Sequence, residues 1–120
     1  MYLNWAKCAG EWCSFDRIDL AGIREHGVYL IWKPNGDVLR PASVVRVGHG
    51  EIASRLAMHR TEEDLTRYGP NLLVTWAEVE APRAAGVALY LTRLLRPLLV
   101  EPLPSHVTPI SANLPISARA

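Results

Sequence analysis

The stretch from Arg46 to Arg60 carries Arg46, His49, Arg55, His59 and Arg60 against a single carboxylate, Glu51. Side chains of that kind attract anions if they converge. Arg55 and His59 do share a direction: Ile52, Leu56 and His59 recur at helical spacing within Glu51 to Arg60, so residues four apart leave one face. Arg46 lies in a valine-rich run, where an unpaired buried charge is costly, so it needs a slot facing solvent or an anion. His49, flanked by Gly48 and Gly50, either borders a cleft or fills a turn. Tyr29 either reaches the Arg55–His59 face from a neighbouring sheet or serves as a core tyrosine with a bonded hydroxyl. Plain alternatives stand for the helix pair as well. Arg55 can pack its stem on the sheet with its head in water, and His59 can be an ordinary helix-end histidine.

Other candidates carry less. Glu78 and Glu80 flank Val79 and share one face of a strand by period-two alternation, which suits a paired-carboxylate metal site or a solvated strand end. Cys8 and Cys13 form a lone C-x4-C pair without a second pair at zinc spacing, weak support for a metal site, so they read as two reduced thiols in a cytosolic protein. Trp12, Trp32 and Trp76 read as core or sheet cover. The 120 residues suit one domain, and 49% hydrophobic residues supply a core. A net charge of +1 and a pI near 7.9 do not announce a nucleic-acid binder, so any basic footprint is local. The N-terminal residues include Lys7, Glu11, Asp16 and Arg17, unlike a signal peptide, and the most apolar run, Gly86 to Val100, is too short to span a bilayer. The reading is a cytoplasmic protein with no membrane partner.

The elements that position these groups follow from pattern. Residues 1–26 form a packed lead-in with a helical turn around Asp19 to Glu25. Gly27 to Trp32 is a short run of β-branched, aromatic and aliphatic residues, read as a buried strand. Lys33-Pro34-Asn35-Gly36-Asp37 is turn chemistry, because Asn-Gly suits a tight reversal. Ser43 to Val47 forms a second strand antiparallel to the first, broken by Gly48-His49-Gly50. The helix Glu51 to Arg60 follows, then a polar connection from Thr61 with room for another turn. Leu72 to Val79 is the third strand. Pro82, Ala84, Ala85 and Gly86 lead into a helix from about Val87 to Arg96, with Val87, Leu91, Leu94, Leu95 and Leu98 on its buried face and Pro97 at its end. Residues 101–120, rich in proline, form a tail packed on or trailing the 27–100 core. The expected fold is a small α/β (α+β) domain: a three-stranded antiparallel sheet with flanking helices, in the order β-β-α-β-α.

A strand reading Gly27-Val28-Tyr29, a second strand ending Arg46-Val47-Gly48, and a helix bearing Arg55 and His59 together resemble the GIY-YIG endonuclease superfamily over roughly Gly27 to Pro97. That resemblance implies in-line hydrolysis of a phosphodiester, with DNA or RNA as partner and Mg2+ or Mn2+ as cofactor where the domain is active. Tyr29 matches the first motif tyrosine, which positions or deprotonates water. Arg55 matches the helix arginine, whose planar fork suits phosphate oxygens. His59 matches a position held by tyrosine or histidine. The implied catalytic set is Tyr29, Arg55 and His59, and the implied phosphate-binding set is Arg46, His49 and Arg55.

The chain departs from the pattern at two places. Arg46 stands where a second tyrosine is expected, and Ala88 stands where the last helix should carry its metal-binding glutamate. No Asp or Glu lies between Glu80 and Glu101, so a shift of one turn does not restore a helix carboxylate. The resemblance with these departures implies a nuclease-derived domain, weak or inactive in cleavage, that binds nucleic-acid phosphate through an Arg/His cleft. Two further classes stay open. One is a working metal-dependent endonuclease that recruits Glu51 or Glu78. The other is a protein-interaction module on the same fold, with a protein partner in place of nucleic acid.

Overall fold

The computed structural model describes residues 1–34, 38–104 and 106–115. The Asn35-Gly36-Asp37 turn lies outside the described residues. Four strands, β1 (Cys13–Ser14), β2 (His26–Trp32), β3 (Val44–Glu51) and β4 (Leu73–Glu78), form one antiparallel sheet in the order β1-β4-β2-β3. The helices are α1 (Ile52–His59), α2 (Glu63–Thr66) and α3 (Ala81–Leu95), with a 3-10 turn at Leu20–Gly22. The class is therefore α+β as expected, with one strand more than the pattern indicates. β1 is two residues long, too short to impose any alternation on a sequence.

β2 is central and buried along almost its whole length, so both of its faces are apolar. Val28, Leu30 and Trp32 pack toward α3 with Val87, Ala88 and Leu91. Tyr29 and Ile31 point the other way, into a second core with Ile52, Leu56, Leu65 and Phe15. Period-two alternation therefore divides the protein into an α3 side and an α1 side, and Tyr29 lies on the α1 side.

The sequence reading needs correction at several places. The glycines at 48 and 50 do not break the second strand, because β3 continues to Glu51 and pairs Gly48 with Tyr29 and Gly50 with Gly27. Their small size is a packing requirement: a Cβ at Gly48 would fall on the Tyr29 ring and hydroxyl. Pro82 and the small residues after it belong to α3 itself. The helix starts at Ala81 with proline in its first turn, where the missing N–H has no partner to lose. Ala84, Ala88 and Leu91 bring α3 against the sheet, whereas Leu94 and Leu98 are exposed. The helix ends at Leu95, with Arg96 in the left-handed region ahead of Pro97.

Cys8 and Cys13 are not free thiols but a disulfide. A tight turn through Ala9 (φ 52°) and Gly10 (φ 83°) places Cys8 opposite Glu11 and brings the two Cα atoms to 5.1 Å. The expectation of free thiols follows from an assumed reducing compartment, and the pairing follows from the turn. Among the described residues no helix is long and apolar enough to cross a membrane.

The tail is tied down. Asn113 accepts from the Leu3 amide and donates to the Leu3 carbonyl, and its own carbonyl accepts from the Trp5 indole. The Ile110 amide bonds the Gly86 carbonyl, a crossing so close that a Cβ at Gly86 would meet Thr108. Asn113-Leu114-Pro115 therefore has a structural part: it fastens residues 1–5 against the α3 side.

Candidate functional site

β3 departs from regular pairing once. Trp32 stands opposite Val44 and Ile31 opposite Arg46, which leaves Val45 as the extra residue of a bulge. The bulge resets alternation. Val45 joins Tyr29 and Ile31 in the α1-side core, and Arg46 reaches the same side, where its guanidinium meets Glu62 at 3.3 Å and Glu101 at 3.6 Å. This is the slot that an arginine inside a valine run requires.

Arg55 and His59 project together from α1, as their spacing predicts, and meet Tyr29 of β2. The Tyr29 hydroxyl lies 2.6 Å from His59 Nε2 and accepts from Arg55 Nε at 3.3 Å. The other imidazole nitrogen, Nδ1, lies 2.7 Å from Glu62. An ionised carboxylate only accepts, so Nδ1 carries the proton, and Nε2 is then free to accept the tyrosine's O–H. Tyr29, His59 and Glu62 thus form one hydrogen-bonded chain. Tyr29 and His59 are both fully buried.

Glu101 completes the cluster from an unexpected place. Beyond α3 the chain runs along the outer edge of β3: the Leu98 and Leu99 amides donate to the Val44 and Val45 carbonyls at 3.0 and 2.9 Å. That path sets the Glu101 carboxylate among Arg55, which bonds it directly, Arg46, and His59 Nε2 at 3.4 Å. All three contacts converge on one oxygen, Oε2.

The electrostatics follow from this packing. Burial raises the Tyr29 phenol well above its usual range, and the Glu101 charge adds to the rise against the opposing Arg55 and Arg46. Tyr29 therefore holds its proton firmly while Glu101 is in place. Burial alone would raise the Glu101 carboxyl, but its neighbours His59, Arg55 and Arg46 outweigh it, so its pKa is lowered. Burial would lower Arg55, yet Tyr29 and Glu101 hold it above its ordinary value.

Of the residues singled out in the sequence, Tyr29, Arg46, Arg55 and His59 come together. His49 does not join them. It stands opposite Val28, on the α3 side of the strand, where burial and then the neighbouring charges of Arg55 and His26 lower its pKa against Glu101. Arg60 turns away as well, donating to the Phe15 and Ile18 carbonyls and holding the N-terminal lead-in against α1. Glu51 is exposed and accepts from Ser54, and Glu78 is exposed at the end of β4, so neither reaches the cluster. Ala88 is buried on the α3 side with Val28 and Leu30. Trp32 is buried and Trp76 lies half-buried over the α1-side core, as sheet cover.

Sequence reasoning misses Glu62 and Glu101, and with them the charge balance. Two arginines face two carboxylates, so the cleft is a neutralised ion-pair network and not the uncompensated cationic one that the local count suggests. Glu62 has a local signal, since it lies three residues beyond His59 and continues the same face. Glu101 has none: it is 46 residues from Arg55 and reaches it through the tail's path alone.

No known protein family, curated protein or solved structure matches this chain.

Proposed function

We propose that the chain is a GIY-YIG-like, nuclease-derived domain that holds nucleic-acid phosphate in the Arg46–Arg55–His59 seat and is weak or inactive in phosphodiester cleavage. The observation that carries this reading is the convergence of two guanidiniums and an imidazole on a single anionic oxygen of Glu101. Two guanidinium donors aimed from different directions at one oxygen, with a ring nitrogen beside it, also suit an oxygen of phosphate. The resemblance adds Tyr29 beside that oxygen, where the superfamily keeps a tyrosine.

The divalent cation that the resemblance implies does not fit the residues present. Among the described residues no group of three His, Cys, Asp or Glu is placed to hold a metal. The one carboxylate beside Tyr29, Glu101, is already engaged by two cations, which compete with a third. No step is therefore routed through a metal. The residues themselves can hold an anionic oxygen (Arg46, Arg55) and hold a proton between Tyr29 and His59, which Glu62 keeps oriented.

The test is binding of short single- and double-stranded DNA and RNA, read by fluorescence anisotropy over a range of salt. The expected result is salt-weakened binding, reduced further by Arg46→Ala and by Arg55→Ala. Binding that is absent, or indifferent to both substitutions, would sink the proposal. A second reading, residual cleavage, is favoured by the Tyr29–His59–Glu62 chain, whose hydroxyl and imidazole suit orienting a water beside the seat. Nicking of plasmid with Mg2+ or Mn2+ that disappears in Arg55→Ala would support it, and intact plasmid would exclude it.

A further inference from the structure

The seat's architecture bears on which phosphate it takes. We infer that it is selective for the dianionic end group of a phosphate monoester, such as the terminal phosphate of a strand, over the diester within a strand, and that Glu101 sets this selectivity. The inference rests on the phosphate-binding reading above.

Charge exchange is the first argument. Any anion entering the seat must displace the Glu101 carboxylate from Arg55 and Arg46. A diester carries one negative charge, so the exchange is even and nothing electrostatic drives it. A monoester carries close to two at neutral pH and gains on the exchange.

Donor count points the same way. Arg46 Nε is buried with no hydrogen-bond partner, although the same guanidinium meets Glu62 and Glu101. A carboxylate brings two oxygens and leaves this donor orphaned, at a cost. A monoester brings three terminal oxygens, one more than Glu101 offers, and that third oxygen can take the orphaned donor.

Enclosure is the third argument. His59 is wholly buried, and the side chains of Arg46 and Glu101 are only 12% and 11% exposed. A hollow of about 320 Å³ opens beside Arg46, and its other walls are Glu62, Glu63 and Asp64. A diester must enter and leave with chain on both sides, so an enclosed seat has to open twice for it. An end group needs to enter only once.

The experiment compares one fluorescent single-stranded oligonucleotide ending in a phosphate or in a hydroxyl, at the 5′ or the 3′ end, with inorganic phosphate as competitor. For the full-length wild-type chain we expect roughly tenfold tighter binding of a phosphorylated end, the scale of one added charge-assisted hydrogen bond. Inorganic phosphate should compete. Competition as strong as that of the oligonucleotide would support the seat and show that the end group alone is recognised. In Glu101→Gln the leaving group is neutral, so the hydroxyl-ended strand should tighten and the discrimination should narrow. Equal binding of both ends by the wild type overturns the inference and leaves phosphate binding standing. An unchanged preference in a folded Glu101→Gln protein removes Glu101 from the account. No binding of any probe, inorganic phosphate included, overturns this inference and the proposed function together. The first comparison needs no variant, so a folding defect cannot mask it.

Discussion

Tyr29→Phe deletes one oxygen and leaves the ring where Gly48 and the α1-side core hold it. The lost bond to His59 joins two fully buried groups 2.6 Å apart. A net hydrogen bond of this kind is worth about 1 kcal/mol, and stranding a buried acceptor at His59 Nε2 adds about 1–3 kcal/mol. Arg55 Nε loses its acceptor too, but the Arg55 side chain is 32% exposed and water can replace the hydroxyl at little cost. Phenylalanine returns part of the loss, since it has no hydroxyl to strip of water. The balance is a destabilisation of about 2 kcal/mol, or a fall in Tm of about 8 °C for a chain of this length. Urea unfolding followed by tryptophan fluorescence measures it, with the midpoint shifted and the slope unchanged. Tyr2→Phe is the control, because Tyr2 is 79% exposed and its hydroxyl should be worth under about 0.5 kcal/mol. If Tyr29→Phe costs no more than Tyr2→Phe, the buried Tyr29–His59–Glu62 chain does not exist in solution and the account of the site collapses with it.

Gly48→Ala places a methyl group on the Tyr29 ring, which has no room to move, and should cost about 1–3 kcal/mol by overpacking; Tyr29→Leu in the same chain should recover part of that. Asn113→Ala releases both polar groups of Leu3 and should cost about 1–2 kcal/mol, with faster amide exchange at Leu3; unchanged exchange there would refute the clamp. The Glu101 carboxyl is lowered in the folded protein, so its contribution is complete above the ordinary value of 4.5 and is lost as pH falls through the lower folded value. Acid unfolding curves of wild type and Glu101→Gln should therefore converge below pH 4.5, and curves that stay parallel would count against the ion pairs. For His49 the sign is the same in a higher window: its lowered pKa means the unfolded chain takes the proton first, so stability falls as pH drops below 6.5, and His49→Gln should flatten that slope.

The legible part of this protein is the part written in local pattern. β2, β4 and α1 follow from short apolar runs and from the four-residue spacing of Arg55 and His59. The same spacing brings Arg55 and His59 to one face, the awkward charge of Arg46 asks for a slot, and the resemblance sets Tyr29 beside them. The illegible part depends on where distant segments cross. β1 exists because Phe15 and its neighbours reach Leu72 and Leu73, and two residues of strand leave no period to read. His49 reads in sequence as a companion of Arg46, but the Val45 bulge turns the arginine to one side of the sheet and leaves the histidine on the other. Glu101 sits in a proline-rich tail with no regular pattern, and only the tail's course along β3 shows that it neutralises the cleft.

That course also orders events during synthesis. A chain made from its N-terminus presents β2, β3 and α1 long before residue 101 leaves the ribosome. Until then Arg55 has no carboxylate, Tyr29 has no cover from the tail, and the outer edge of β3 is unpaired. A nascent chain with an open basic notch beside a free strand edge is exposed to the polyanionic ribosome surface and to pairing with other chains. Leu98 and Leu99 close that edge and Glu101 closes the notch two residues later. Leu98 to Glu101 thus act as a latch, and truncations that remove them should give a protein that is made but does not stay soluble.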